Sequence, residues 1–93
     1  MAKVRNVVSA LCKKGFREDL KRDHRYYRLF YGGKKTLIYT KISHGETDLD
    51  PWHFSQVARQ ISLNNSQFRE FITCPLSGEQ YLQILKERNL LPA

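Results

Sequence analysis

Apolar positions change period twice along this chain, and each change marks a switch of secondary structure. Val4, Val7, Val8, Leu11 and Cys12 recur at helical spacing, with Lys3, Arg5, Asn6, Lys13 and Lys14 between them. A helix over residues 3–14 follows, and Gly15 suits the left-handed conformation just past a helix end. From Phe16 the helical period is lost. Phe16 to Leu20 reads as a short strand, Lys21 to Asp23 as a tight connection, and the Tyr-, Phe- and Leu-rich run from His24 to Tyr31 as a second strand. Gly32-Gly33 is a hairpin signal, because both residues tolerate positive φ, and Lys35 to Ile42 returns as a third strand. Strand phase stays open: Tyr26, Phe30, Ile38 and Ile42 compete for the packed face with Tyr27, Leu29, Tyr31, Leu37 and Tyr39. One face must pack on helices, and the other can carry aromatic and basic side chains together.

Ser43 to Leu49 reads as a polar loop, after which helical spacing resumes. Asp50-Pro51 pairs a capping carboxylate with proline at the first helical position, ahead of a stripe of Phe54, Val57, Ala58 and Ile61. Asn64 with Gln67, then Ser77 with Gln80, have the spacing of capping boxes. The first would open a helix burying Phe68, Phe71 and Ile72 and closed by Pro75, the second a helix burying Tyr81, Leu82 and Leu85. The predicted order is αβββα plus two C-terminal helices, an α+β domain. At 93 residues the chain has room for one core, so a single domain over 1–93 is expected.

Charge adds a functional direction. Sixteen Lys and Arg against nine Asp and Glu give +7. Residues 3–41 hold twelve basic and three acidic side chains, whereas residues 42–93 hold four and six, so the positive charge sits in the first half. A concentrated positive field is what a polyphosphate responds to. Arg22, Arg25, Arg28, Lys34 and Lys35 interleave with Tyr26, Tyr27 and Tyr31, which fits RNA, with cations on phosphates and rings on bases. Lys21 and Lys41 flank the same segment.

Cys12 and Cys74 are far apart among apolar neighbours and read as buried free thiols of a reducing compartment. No spacing resembles a zinc site or a nucleotide-binding loop, so neither metal nor cofactor is expected. No run approaches the ~18 apolar residues of a membrane span, and the N-terminus lacks the apolar stretch of a signal peptide, so a cytoplasmic protein without membrane contact is expected.

Two histidines are candidates for proton transfer near neutral pH. His24 opens the second strand in Lys21-Arg22-Asp23-His24-Arg25, and His44 follows the third in Lys41-Ile42-Ser43-His44-Gly45. A Gly32-Gly33 hairpin would bring both to one end of the sheet. His53, beside Trp52, reads as a surface or packing residue.

With these motifs in order, the chain resembles the HicA-like family of mRNA interferase toxins. Lys14-Gly15-Phe16 resembles the family's Gly-Phe junction, and Asp23-His24-Arg25-Tyr26-Tyr27-Arg28 stands where the family has its Gly-Ser-His-His element. Thr40 to Gly45, then Leu49, resemble the passage from third strand to second helix, and Val57, Ala58, Gln60 and Ile61 the closing helix. The resemblance covers residues 4–63, leaving 64–93 as a helical extension of a core over 1–63. It implies a double-stranded-RNA-binding-like α-β-β-β-α core with a three-stranded antiparallel sheet. It further implies metal-independent endoribonuclease activity on mRNA, as the toxin of a type II toxin–antitoxin pair inhibited by a HicB-like antitoxin. His24 takes the position of the family's catalytic histidine. Arg22-Asp23 replaces the family's Gly-Ser, which keeps a non-catalytic RNA-binding module on the same fold open as the alternative, with a protein-interaction domain third.

Overall fold

The computed structural model describes residues 2–21, 24–43, 47–73 and 75–91, and for Leu20, Lys21, His24 and Ser43 only the backbone. In chain order the elements are β1 (Ala2–Lys3), α1 (Val4–Lys13), β2 (Phe16–Lys21), β3 (His24–Tyr31), β4 (Lys34–Ser43), β5 (Asp48–Leu49), α2 (Pro51–Gln60), α3 (Asn65–Thr73) and α4 (Gly78–Glu87). The protein is α+β, with a three-stranded antiparallel sheet in the order β2-β3-β4 and four helices among the described residues. One correction concerns the stretch expected to be loop. Ser43 ends β4, and Asp48 and Leu49 pair with Lys3 and Ala2 as a small two-stranded sheet that clips the start of α1 to the start of α2.

The local signals act as their chemistry requires. Gly32 and Gly33 both have positive φ, at 60° and 80°, and turn the β3–β4 hairpin. Gly15 sits at φ 107°, and its carbonyl accepts the Phe30 N–H at 3.0 Å, joining the end of α1 to the sheet. The Asp50 carboxylate accepts the His53 N–H at 2.8 Å, which holds its pKa below the usual value. Asn64 with Gln67 and Ser77 with Gln80 each make both reciprocal capping-box bonds, at 2.7–3.1 Å.

On α1 the buried residues are Val4, Val7, Ala10 and Leu11, and Cys12 is exposed, contrary to the expectation of a buried thiol. At about 100° per residue, Ala10, Val7, Leu11 and Val4 fill an arc of about 120°, and Cys12 lies about 80° beyond Val4, outside it. Cys74 lies outside the described residues.

The core is one cluster that uses every helix. Phe16 and Leu29 from the sheet meet Phe68, Phe71, Tyr81 and Leu85 from α3 and α4, all almost fully buried. Phe16 packs on Phe71 and Tyr81 with ring centroids 6.4 and 5.9 Å apart. Residues beyond 63 therefore complete the core. Lys14, just past α1, reinforces this junction: its ammonium donates to the carbonyls of Phe71 and Leu76 and lies 4.7 Å from the Phe71 ring. Among the described residues no helix is long and apolar enough to cross a membrane.

Candidate nucleic-acid interface

The register decides which face each strand residue takes. Tyr27 and Leu29 of β3, with Ile38, Thr40 and Ile42 of β4, are buried beneath the helices. Thr40 is satisfied there, because its hydroxyl donates to the Gln60 side chain of α2. Tyr26, Arg28 and Phe30 therefore occupy the opposite face, alongside Arg17 of β2 and Tyr39 and Lys41 of β4, which their pairings set directly beside them. Neither sequence alternative for the phase is correct throughout: the buried set takes Tyr27 and Leu29 from one and Ile38 and Ile42 from the other, because the two-residue turn pairs Tyr31 with Lys34 and so sets odd-numbered positions of β3 beside even-numbered positions of β4. Between the Arg28–Tyr39 and Phe30–Lys35 pairs, Leu29 faces a stretch of three residues, 36–38. The Thr36 hydroxyl fills the gap, donating to the Leu29 carbonyl at 2.8 Å and accepting the Ile38 N–H at 3.2 Å. The two extra residues leave the alternation of β4 intact, so Ile38 is buried with Thr40 and Ile42 while Leu37 is 93% exposed.

No helix covers this open face, and its side chains stack on one another. The Arg28 guanidinium donates to the Thr36 carbonyl at 2.8 Å and lies 4.9 Å from the Tyr39 ring. Tyr39 is in turn 6.0 Å from Tyr26, and Arg17 stands 4.4 Å over Phe30. Cation–ring contacts of this kind hold both partners in fixed planes. Among the described residues the face carries Arg17, Arg28, Lys35 and Lys41 against one acid, Asp19, across from Tyr26. Flat rings, fixed guanidinium planes and an excess of positive charge can receive unstacked bases and the phosphates between them.

The histidine end of the sheet is defined at the backbone level. His24 is the first residue of β3, and it pairs with Lys21 on one side and Ser43 on the other. The β4 end does lie beside the β3 start, as hairpin geometry requires. His44, Arg22 and Asp23 lie outside the described residues, as do the side chains of Lys21 and His24.

The predicted RNA contacts divide between the two faces. Arg28, Lys35 and Lys41 belong to the open face. Lys34 pairs with Tyr31, whose ring lies 5.6 Å from the Lys86 ammonium of α4, on the helix side. Arg25 is also on the helix side, with its guanidinium 3.1 Å from the Glu18 carboxylate. Tyr27 is fully buried and so is not a stacking residue. Its hydroxyl has no hydrogen-bond partner among the described residues, and burial, then the Glu18 carboxylate, push its pKa up. The Cys12 thiol is likewise pushed up by burial and by Glu18, the opposite of an activated nucleophile. His53, beside Trp52, has its Nδ1 3.1 Å from the Asp50 carboxylate and belongs to the α2 cap.

Sequence reasoning missed Arg17, Phe30 and Tyr39 as members of the interface. Arg17 lies in a strand whose alternation is hard to see beside Glu18 and Asp19. Tyr39 shares its outward phase with Leu37 but not with Tyr31, which the two-residue turn pairs with Lys34 on the helix side. No protein-family model matches the chain, and searches of curated proteins and of solved structures find no match either.

Proposed function

We propose that this protein binds single-stranded RNA on the open face of its sheet and cleaves it at the His24 end, as a HicA-like mRNA interferase of the cytoplasm. The observation that carries the binding half is the cation–aromatic layer of Arg17, Tyr26, Arg28, Phe30 and Tyr39, on the sheet face opposite the one that buries Tyr27, Leu29, Ile38, Thr40 and Ile42. A folded domain has no packing reason to hold that many rings on an open face, and each base stacked there would contribute about 1–3 kcal/mol. The helix–three strands–helix order with one open sheet face also fits the double-stranded-RNA-binding-like core that the HicA resemblance implies. α3 and α4 are then additions that fill the core from the side.

Strand alternation gives His24 the register position in line with Tyr26 and Arg28, so bases on the face would bring a phosphodiester to it. Cleavage needs no metal. A base takes the 2′-hydroxyl proton as that oxygen attacks phosphorus, neighbouring cations offset the charge, and an acid protonates the departing 5′-oxygen as the P–O bond breaks. His24 and His44 are the two proton-transfer groups of this reading, and a HicB-like antitoxin is the partner that would block the face.

The test is a paired binding and cleavage titration in EDTA across pH 5–9 on wild type, His24→Ala and His44→Ala. His24→Ala should lower cleavage by roughly 10²–10⁴-fold while RNA affinity survives. Full activity in that variant would remove the catalytic assignment. A wild type that binds RNA without cutting it would leave the binding module, the reading that Arg22-Asp23 in place of Gly-Ser favours.

A further inference from the structure

On the helix side of the same sheet end lies an open cleft of about 540 Å³ between the start of α1 and the start of β3. Lys3, Arg5, Ser9, Arg25 and Thr47 line it together with the apolar Val4 and Val8. Two of its three cations are steadied by acids: Lys3 by Asp48 at 3.6 Å and Arg25 by Glu18 at 3.1 Å. Arg5 makes no ion pair among the described residues. The helix adds to the field. α1 begins here with Lys3 at its N-cap and no acid in its first turn, and its first N–H, that of Val4, donates to the Thr47 carbonyl at 2.9 Å.

We infer that this cleft is a second RNA contact, holding the sugar–phosphate backbone of the strand whose bases lie on the open face. Arg25 is the link. It directly follows His24 and precedes Tyr26 on β3, with Tyr26 on the open face and Arg25 in the cleft. A strand that leaves the face at His24 meets the cleft next, so the phosphate at His24 is held from both sides. The volume exceeds what a lone phosphate fills, and the apolar Val4 and Val8 suit a ribose. Ser9 and Thr47 supply neutral hydrogen-bonding groups beside the cations. This inference rests on the RNA reading of the open face, but it makes a separate claim about strand length.

The experiment measures affinity for 2′-deoxy-blocked, uncleavable single strands of about 4 and about 12 nucleotides, lengths that bracket one stacking platform. Wild type, Arg5→Gln/Ser9→Ala and Tyr39→Ala are compared across salt. Arg5→Gln/Ser9→Ala should bind the short strand as wild type does, lose the added affinity for the long one, and lower the log–log salt slope on the long strand by about 1. Tyr39→Ala should weaken both lengths. Wild-type affinity and slope on the long strand in the Arg5/Ser9 variant would overturn the cleft and leave the open face standing. Equal losses on both lengths would also overturn it, since the cleft would then not be a separate contact. Wild type binding neither strand would overturn both readings. Inorganic phosphate at constant ionic strength should leave the length increment in place, and its abolition at low millimolar phosphate would assign the cleft to a free anion instead.

Discussion

The two faces of the three-stranded sheet are made from the same strands and from similar residues, yet they are put to opposite uses. Beneath the helices lie Phe16, Tyr27, Leu29, Ile38, Thr40 and Ile42, all nearly inaccessible. On the other side lie Arg17, Tyr26, Arg28, Phe30 and Tyr39, each ring in contact with a cation or another ring rather than with a helix. Aromatic content alone does not separate the faces. What separates them is that the rings of Phe16, Phe68, Phe71 and Tyr81 pack on one another out of water, whereas on the open side the guanidinium groups of Arg17 and Arg28 lie over Phe30 and Tyr39. The first arrangement stabilises by removing area from water, the second keeps flat surfaces ordered while they remain wet.

The largest effect should come from the packed side. Phe71, fully buried between Phe16, Phe68 and Tyr81, joins the extension helices to the sheet. Phe71→Ala should cost about 3–5 kcal/mol, much of what a domain of this size has. Chemical denaturation measures it. A loss under about 1 kcal/mol would mean that α3 and α4 are an appendage rather than part of the core.

Tyr39→Ala is the matching change on the open side. The ring is 44% exposed, so stability should move by no more than about 0.5 kcal/mol. RNA affinity should fall by about 1–3 kcal/mol, with one stacking ring removed and Arg28 released from its plane. A stability loss comparable to that of Phe71→Ala would erase the distinction between the faces, and an unchanged affinity would remove RNA from the open one.

Much of the fold was legible in the sequence because its local signals do not depend on distant contacts. Asp50, Asn64 and Ser77 cap helices through neighbours three residues away, and Gly32-Gly33 turns a hairpin whatever it packs against. Strand phase was not legible because Tyr, Phe, Leu and Ile occupy both faces of β3 and β4; the Tyr31–Lys34 pairing across the turn fixes it, and the bulge held by Thr36 adds two residues to β4 without changing which face each takes. β1 and β5 escaped notice because two residues carry no period. For the candidate site, the basic and aromatic composition pointed to β3 and β4, while face assignment had to wait for register: Arg25 and Tyr27 belong to the helix side, and Arg17 and Tyr39 to the open one.

The buried tyrosines sharpen the comparison on a smaller scale. The Tyr81 hydroxyl donates to the Ile61 carbonyl at 2.8 Å, and burial pushes its pKa well above the ordinary tyrosine value. Tyr81→Phe leaves that carbonyl without its donor and should cost about 1–3 kcal/mol. The upward shift also sets a pH dependence. The folded state keeps the Tyr81 proton more tightly than the unfolded chain does, so the stability is intact below the unfolded value of 10.0 and is lost as pH rises above it. Wild type should therefore lose stability above pH 10 more steeply than Tyr81→Phe.

Tyr27→Phe should have the smallest effect of all. Tyr27 is as buried as Tyr81, but its hydroxyl meets no hydrogen-bond partner among the described residues. Desolvating a hydroxyl without compensation is unfavourable, so deleting the oxygen while keeping the ring should be neutral or stabilising, by at most about 1 kcal/mol. The pair of variants forms an internal control, because both remove one oxygen from one buried ring on the packed side and differ only in whether that oxygen was bonded. Equal destabilisation by both would mean that Tyr27 is satisfied after all, by a bridging water or by Glu18, and that polar bonding contributes to the packed face at the end next to the cleft. A neutral Tyr27→Phe beside a costly Tyr81→Phe would show that the Tyr27 ring holds its place through carbon contacts, with its oxygen adding nothing to stability.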